Sequence, residues 1–195
     1  MRKKSHISLA VYIVGSLEEQ ELKKHKKAFY LGSILPDCKP SFLTTKHEIQ
    51  GTFSKVSADI KRLADVNNQA EINMRAFCRD LGQVIHYIAD YFTFPHNAHY
   101  TGTFKDHCAY EEKLKKSLRE YIKSGEAEKN KEMVRKLESP DAICDFIQHA
   151  HALYMDLKTN VEEDCRLIVA LCHQVVEAVL NLVHMQSSKL VLAAV

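Results

Sequence analysis

Residues 74–92 read MRAFCRDLGQVIHYIADYF, and their spacing decides the fold class. The apolar side chains recur at helical intervals and form a wide arc: Met74, Phe77, Leu81, Val84, Ile85, Ile88 and Phe92. A narrow polar stripe lies opposite: Arg79, Gln83, His86 and Asp90. Gly82 and Ala89 flank this stripe, and small residues there would let another backbone pack closely. The pattern predicts a long helix over 69–92 with an inward polar seam, although a solvent-facing stripe would look the same.

A second helix, predicted over 104–123, carries polar residues on its apolar face. That face is formed at 3-4-3-4 spacing by Phe104, His107, Glu111, Leu114, Leu118 and Tyr121. Two of the positions expected in the core are therefore His107 and Glu111. Burying a glutamate costs on the order of several kcal/mol unless a cation or metal compensates. A histidine and a glutamate at i and i+4 can reach one ion, so this face predicts a bound cation.

Other candidate ligands fall close by in the sequence. His86 and Asp90 are also an i,i+4 pair, and His96 follows Asp90 by six residues, directly after Pro95. On the first predicted helix, His6 shares a face with apolar residues. Imidazole and carboxylate ligands without cysteine at ligand spacing suit zinc in a catalytic site. The alternative interpretation is two surface i,i+4 pairs and a loop histidine.

Length and composition favour one helical domain. The chain has 195 residues, too few for two ordinary domains at roughly 150 residues each, so one domain over 1–195 is predicted. Glycine (6) and proline (4) are scarce, and no segment alternates with period two, which indicates an all-α single-domain multi-helix bundle. Further helices are predicted over residues 5–14, 18–34, 53–65, 128–137, 141–157 and 161–186.

Charge and targeting signals are weak. The 27 basic side chains nearly cancel the 25 acidic ones, so the composition carries no specific signal for nucleic acid. The apolar stretch after the basic start lacks a small-x-small cleavage site. No apolar run is expected to span a bilayer, which takes about 20 residues. A cytoplasmic location is expected, with secretion as the alternative.

The motifs together resemble the zinc-dependent phospholipase C family of bacteria. The family signature is a helix with His-Tyr-x-x-Asp, a histidine six residues after the aspartate, and a later His-x-x-x-Glu. This chain matches it with His86-Tyr87-Ile88-Ala89-Asp90, His96, and His107 to Glu111. The resemblance implies an all-helical fold shared with the fungal single-strand nucleases, and a cleft that holds two to three zinc ions.

The resemblance also implies a ligand for each matching position. Upstream, His6, Asp37 and His47 match the early histidine, the loop aspartate and the next histidine of the family. One zinc would take Asp37, His47, His86 and Asp90, a second His96, His107 and Glu111, and a third His6 with Asp90 bridging. In secreted members, an N-terminal tryptophan completes the third site. This chain has no tryptophan, so water or a local group would complete that site here.

The implied activity is that of a metal-dependent phosphoesterase. It would hydrolyse a phosphodiester, with phospholipid among the candidate substrates, using zinc-bound hydroxide that Asp37 orients or deprotonates. The alternatives are a single-strand nuclease-like phosphodiesterase and a non-catalytic metal-binding helical domain. A nuclease should offer aromatic stacking surfaces and a basic groove near the metals. The aromatic residues expected at the edge of the site are Tyr87, Tyr91, Phe92, Phe94 and Tyr100.

Overall fold

Helices make up the regular structure of the described chain. This computed structural model describes residues 1–38, 47–65, 73–129, 136–157 and 160–193, with side chains as far as residue 185. No described residue lies in a strand, which confirms the all-α class. The helices are α1 (Lys3–Ser16), α2 (Gln20–Lys24), α3 (Lys26–Gly32), α4 (Ile49–Ala64), α5 (Met74–Tyr91), α6 (Phe104–Lys123), α7 (Glu126–Lys129), α8 (Pro140–Asp156) and α9 (Val161–Ala193). Short 3-10 turns span Pro36–Cys38 and Phe94–His96.

One hydrophobic core runs through the bundle and includes residues from α1 to α9. The largest side chains buried in it include Tyr91, Phe29 and Phe92. Helix α5 packs against α3, α4 and α9, while α6 packs against α1 and α9. This arrangement brings the start of α1, the end of α5 and the start of α6 together.

The C-terminal half of the polar seam of α5 faces inward, whereas Arg79 is exposed and Gln83 half-buried. His86 and Asp90 are buried, and helix α3 packs directly on α5. A Cβ on Gly82 would lie 2.3 Å from the Phe29 carbonyl oxygen, and one on Gly32 would lie 1.9 Å from the Arg79 carbonyl oxygen. Only glycine allows the two backbones to approach this closely.

Several predicted helix boundaries are wrong. The predicted helix over 18–34 is divided at His25, because the cationic run 23–27 would place like charges at i,i+3 and i,i+4. Helix α4 starts at Ile49 rather than at residue 53. Gly51 lies in its first turn, and because glycine disfavours helix, the sequence did not indicate the earlier start. Helix α9 continues to Ala193, beyond the predicted end at residue 186. Residues 69–72 and 130–135 of two predicted helices lie outside the described residues.

Helix α9 contains a longer apolar stretch than the sequence analysis expected. Val161–Met185 spans 25 residues with a mean hydropathy of 1.7, enough to cross a membrane by length and composition alone. The share of this window buried inside the protein is 67%. Buried residues along it include Ile168, Val175 and Val179. In this structure, α9 has the burial of a core helix.

Candidate metal centre

The structure brings all eight predicted metal ligands to one place. His6 comes from α1, Asp37 from the first 3-10 turn, and His47 from the residues just before α4. The others come from the end of α5, the second 3-10 turn and the start of α6: His86, Asp90, His96, His107 and Glu111. Three sets have donor atoms within 4.8 Å of one another: His6 with Asp37 and His86, His47 with His86 and Asp90, and His96 with His107 and Glu111.

Asp90 lies at the centre of these groups. Its Oδ2 is 3.0 Å from His47 Nδ1 and 3.3 Å from His86 Nε2. Its Oδ1 faces the other way, 3.4 Å from His6 Nε2. Although burial opposes its ionisation, the surrounding positive groups hold the pKa of Asp90 well below its usual range. Asp90 can therefore donate one carboxylate oxygen to each of two neighbouring ions.

The tautomer of His86 points to a cation in this space. His86 Nδ1 lies 2.8 Å from the Ser33 carbonyl oxygen, so Nδ1 carries the proton and donates it. His86 Nε2 faces His47 Nδ1 at 3.0 Å, Asp90 Oδ2 at 3.3 Å and Asp37 Oδ1 at 3.5 Å. Imidazole nitrogens and carboxylate oxygens that converge in this way can bind one metal ion. Donation from the second ring nitrogen to a backbone carbonyl is typical of histidine ligands.

The ring nitrogens of His6 are poorly satisfied. The residue is buried, Nδ1 has no hydrogen-bond partner within the described structure, and Nε2 lies 3.4 Å from Asp90 Oδ1 without a well-formed hydrogen bond. Its ring stacks on His86, with 3.9 Å between centroids. Burial and the neighbouring His86 lower the pKa of His6 to about 3, so the ring is neutral at neutral pH. A neutral imidazole with unsatisfied nitrogens is ready to bind a metal.

The second group converges on one oxygen of Glu111. His96 Nε2 and His107 Nε2 each lie 3.2 Å from Glu111 Oε1. The position of His107 follows from a capping box, in which Asp106 N donates to Thr103 Oγ1 at 3.3 Å and Thr103 N to Asp106 Oδ2 at 2.9 Å. These bonds fix where α6 begins.

The nitrogen of Met1 lies between the two groups, at a place that the sequence analysis did not single out. This buried nitrogen contacts Asp90 Oδ1 and lies 3.1 Å from His96 Nε2 and 3.3 Å from Glu111 Oε1. Burial alone lowers the pKa of this amine, but the carboxylates of Asp90 and Glu111 outweigh it and raise the pKa. The only sequence signal was that Met1 precedes His6 by five residues.

The face of α6 that carries His107 and Glu111 borders a cleft near the start of the helix and packs into the core further along. Leu114 and Leu118 are buried as expected, but Phe104 is 83% exposed, so its predicted place in the core is wrong. His107 and Glu111 line a cleft of about 890 Å³, together with Asp37, His47 and His96. The first turns of α6 therefore border the cleft and not the core.

A buried network holds the loop that carries His96. Asp164 on α9 accepts hydrogen bonds from the Phe94 backbone N–H at 2.9 Å, from Tyr110 Oη at 2.8 Å and from Tyr154 Oη at 2.9 Å. Burial raises the pKa of Asp164 to about 6. These three bonds tie the turn around His96 to α6, α8 and α9. No sequence signal singled out Asp164.

Replacing Asp164 by alanine should lower the free energy of unfolding by about 2–4 kcal/mol, because it leaves three donors without an acceptor. Urea denaturation followed by circular dichroism measures this change. The matched control is Glu163→Ala, whose side chain is 43% exposed and pairs with Arg166; this variant should lose no more than about 0.5–1 kcal/mol. Equal losses in the two variants would show that Asp164 does not hold the loop.

Comparison with known proteins agrees with this geometry. A family model for zinc-dependent phospholipase C matches residues 5–160, which cover most of the chain. No curated protein and no solved structure matches the chain significantly. The matched segment contains every side chain of the candidate metal centre, from His6 to Glu111. The chain therefore belongs to the zinc-dependent phospholipase C family.

Proposed function

We propose that this protein hydrolyses the phosphodiester bond of a phospholipid with the help of two or three zinc ions. One observation carries the proposal: a set of buried imidazole and carboxylate donors opens on one side into a cleft of about 890 Å³. A purely structural zinc site is closed by four protein ligands, whereas a catalytic site leaves room for water and substrate. The open cleft therefore favours an enzyme over a non-catalytic metal-binding domain.

The donors fit zinc in number and kind. His47, His86 and Asp90 would hold one ion with Asp37, and His96, His107 and Glu111 would hold a second. A third would take His6 and an Asp90 oxygen. Zinc held there would acidify water and offset the negative charge of a bound phosphate.

Asp37 is the proposed catalytic residue. It lines the cleft, where its carboxylate can orient a water molecule at the metal centre and accept a proton from it. In the reaction, the oxygen of one water molecule forms a bond to phosphorus, and the bond from phosphorus to the leaving alcohol breaks. Asp37 takes a proton from the water, and the leaving alkoxide receives one.

The aromatic residues do not favour the nuclease alternative. Tyr91 and Phe92 are fully buried in the core, so their predicted place at the edge of the site is wrong. The ring of Tyr87 packs against the ring of His47, with 5.1 Å between centroids. The ring of Tyr100 lies edge-on to the ring of His107, with 6.1 Å between centroids, so Tyr87 and Tyr100 lie beside candidate ligands as predicted. Phe104 is the one aromatic side chain among the described residues that line the cleft, whereas a single-strand nuclease needs several stacking surfaces.

The test combines metal analysis with turnover. Protein purified without chelator should contain two or three zinc ions per chain by elemental analysis and should release diacylglycerol from phospholipid. Asp37→Asn should lower kcat by about 10²–10⁴-fold, the usual loss when a general base is removed. The control Asp141→Asn, on an exposed side chain paired with Lys61, should keep full activity. Metal-loaded protein that cleaves no phosphodiester would refute the proposal.

A further inference from the structure

The mouth of the cleft is lined by cationic side chains that the metal centre does not use. They are Arg2, Lys3, Lys4 and Lys115. Arg2 and Lys115 are held in place by Glu112, with Arg2 Nη1 and Lys115 Nζ each 2.6 Å from a Glu112 carboxylate oxygen. Lys3 and Lys4 are exposed, and neither forms an ion pair with any described residue.

The charges at the mouth do not balance. The four cations face two nearby carboxylates, Glu112 between Arg2 and Lys115, and Glu48 on the cleft wall. The carboxylates deeper in the cleft, Asp37, Asp90 and Glu111, belong to the metal centre, where the proposed zinc ions would offset them. The surface that a substrate headgroup meets is therefore positively charged.

The described cleft has few side chains that would bind a cationic headgroup. Choline and ethanolamine are bound by several aromatic faces or carboxylates around the ammonium group. Here Phe104 is the one aromatic residue lining the described cleft. An ammonium group at this mouth would meet Lys3 and Lys4 instead, and like charges brought together weaken binding.

We propose that the cleft selects phosphodiesters whose headgroup carries a further negative charge, and that Lys3 and Lys4 are the specificity-determining residues. The inference rests on the proposed function, because it assumes that the phosphodiester binds at the metal centre. The two lysines lie in the first turn of α1, close to His6 in the same helix. Both residues line the cleft into which the metal centre opens.

The first test compares two substrates that differ by one carboxylate. Short-chain phosphatidylserine and phosphatidylethanolamine, supplied as monomers below their micelle concentration, remove the effects of a membrane surface. The zinc-loaded protein should show a kcat/KM about tenfold higher for phosphatidylserine, and added salt should reduce this preference because the lysines are exposed.

Lys3→Gln/Lys4→Gln should bring the ratio of the two kcat/KM values to about one. Removing positive charge from the N-terminal turn of a helix does not destabilise it, so this variant should fold. The matched control is Lys26→Gln/Lys27→Gln, which removes two exposed lysines from α3 that do not line the cleft. This control should keep the tenfold preference.

A binding measurement separates the inference from the proposed function. Calorimetry of the zinc-loaded protein should show O-phosphoserine binding about tenfold more tightly than phosphoethanolamine, and Lys3→Gln/Lys4→Gln should remove this difference. If neither lipid is hydrolysed but the binding preference depends on the lysines, the proposed function fails and the charge selection stands. If both lipids are hydrolysed equally and the double variant leaves the ratio unchanged, the inference is overturned and the proposed function stands.

Discussion

Replacing Asp90 by asparagine is expected to reduce phosphodiester hydrolysis at least about a hundredfold and to lower the zinc content. Asp90 contacts the Met1 amine with one oxygen and His47 and His86 with the other. Asparagine keeps the shape but loses the charge and one strong ligand oxygen. Even substitutions behind metal ligands typically cost 10–100-fold in affinity or activity, and removing a shared ligand should cost more.

The matched control for this variant is Asp80→Asn, the same substitution ten residues earlier on α5. Asp80 pairs with Arg62 and Arg79, and none of the three lines the cleft. The control should keep its zinc and its turnover. Full activity and unchanged zinc content in Asp90→Asn, measured by elemental analysis on the same preparation, would show that Asp90 does not bridge two ions.

Removing the metal is expected to lower the melting temperature by about 8–16 °C. A ligand present at 1,000 times its Kd stabilises the folded state by about 4 kcal/mol, and each kcal/mol shifts the melting temperature of a domain of this size by about 2–4 °C. Without zinc, three carboxylates and five buried or half-buried imidazoles would share one space. Differential scanning calorimetry before and after chelation measures the shift.

The shift on chelation should be much smaller in Asp90→Asn, because this variant has less metal to lose. Restoring zinc to the chelated wild-type protein should return the original melting temperature, which separates metal loss from irreversible damage. An unchanged melting curve, after elemental analysis has verified that zinc is gone, would show that the cluster does not support the fold.

Much of the candidate metal centre could be predicted because its candidate ligands follow helical periodicity. The pairs His86 with Asp90 and His107 with Glu111 are each four residues apart, and this spacing places both members on one face of a helix. Gly82 beside the α5 seam indicated close packing, and Gly82 does lie against the backbone of α3. These features are local, so the order of residues along the chain determined them.

Other features depend on contacts between distant parts of the chain. The direction that Phe104 takes at the start of α6, into solvent rather than the core, follows from where α1 and α6 meet. Asp164 reaches the turn around His96 only because α9 packs beside α6. No periodicity in the sequence encodes either contact.

By itself, the sequence determined the helical class, the pairing of ligands within α5 and α6, and the family signature, because each needs only residues within a few turns of helix. Tertiary structure decided how the ligand pairs combine into one centre. It buried the Met1 amine against Asp90, turned His6 toward His86, and set the two free lysines at the mouth of the cleft. The burial and the electrostatic environment of a site depend on all of its neighbours, and the candidate ligands here come from six separate segments of the chain.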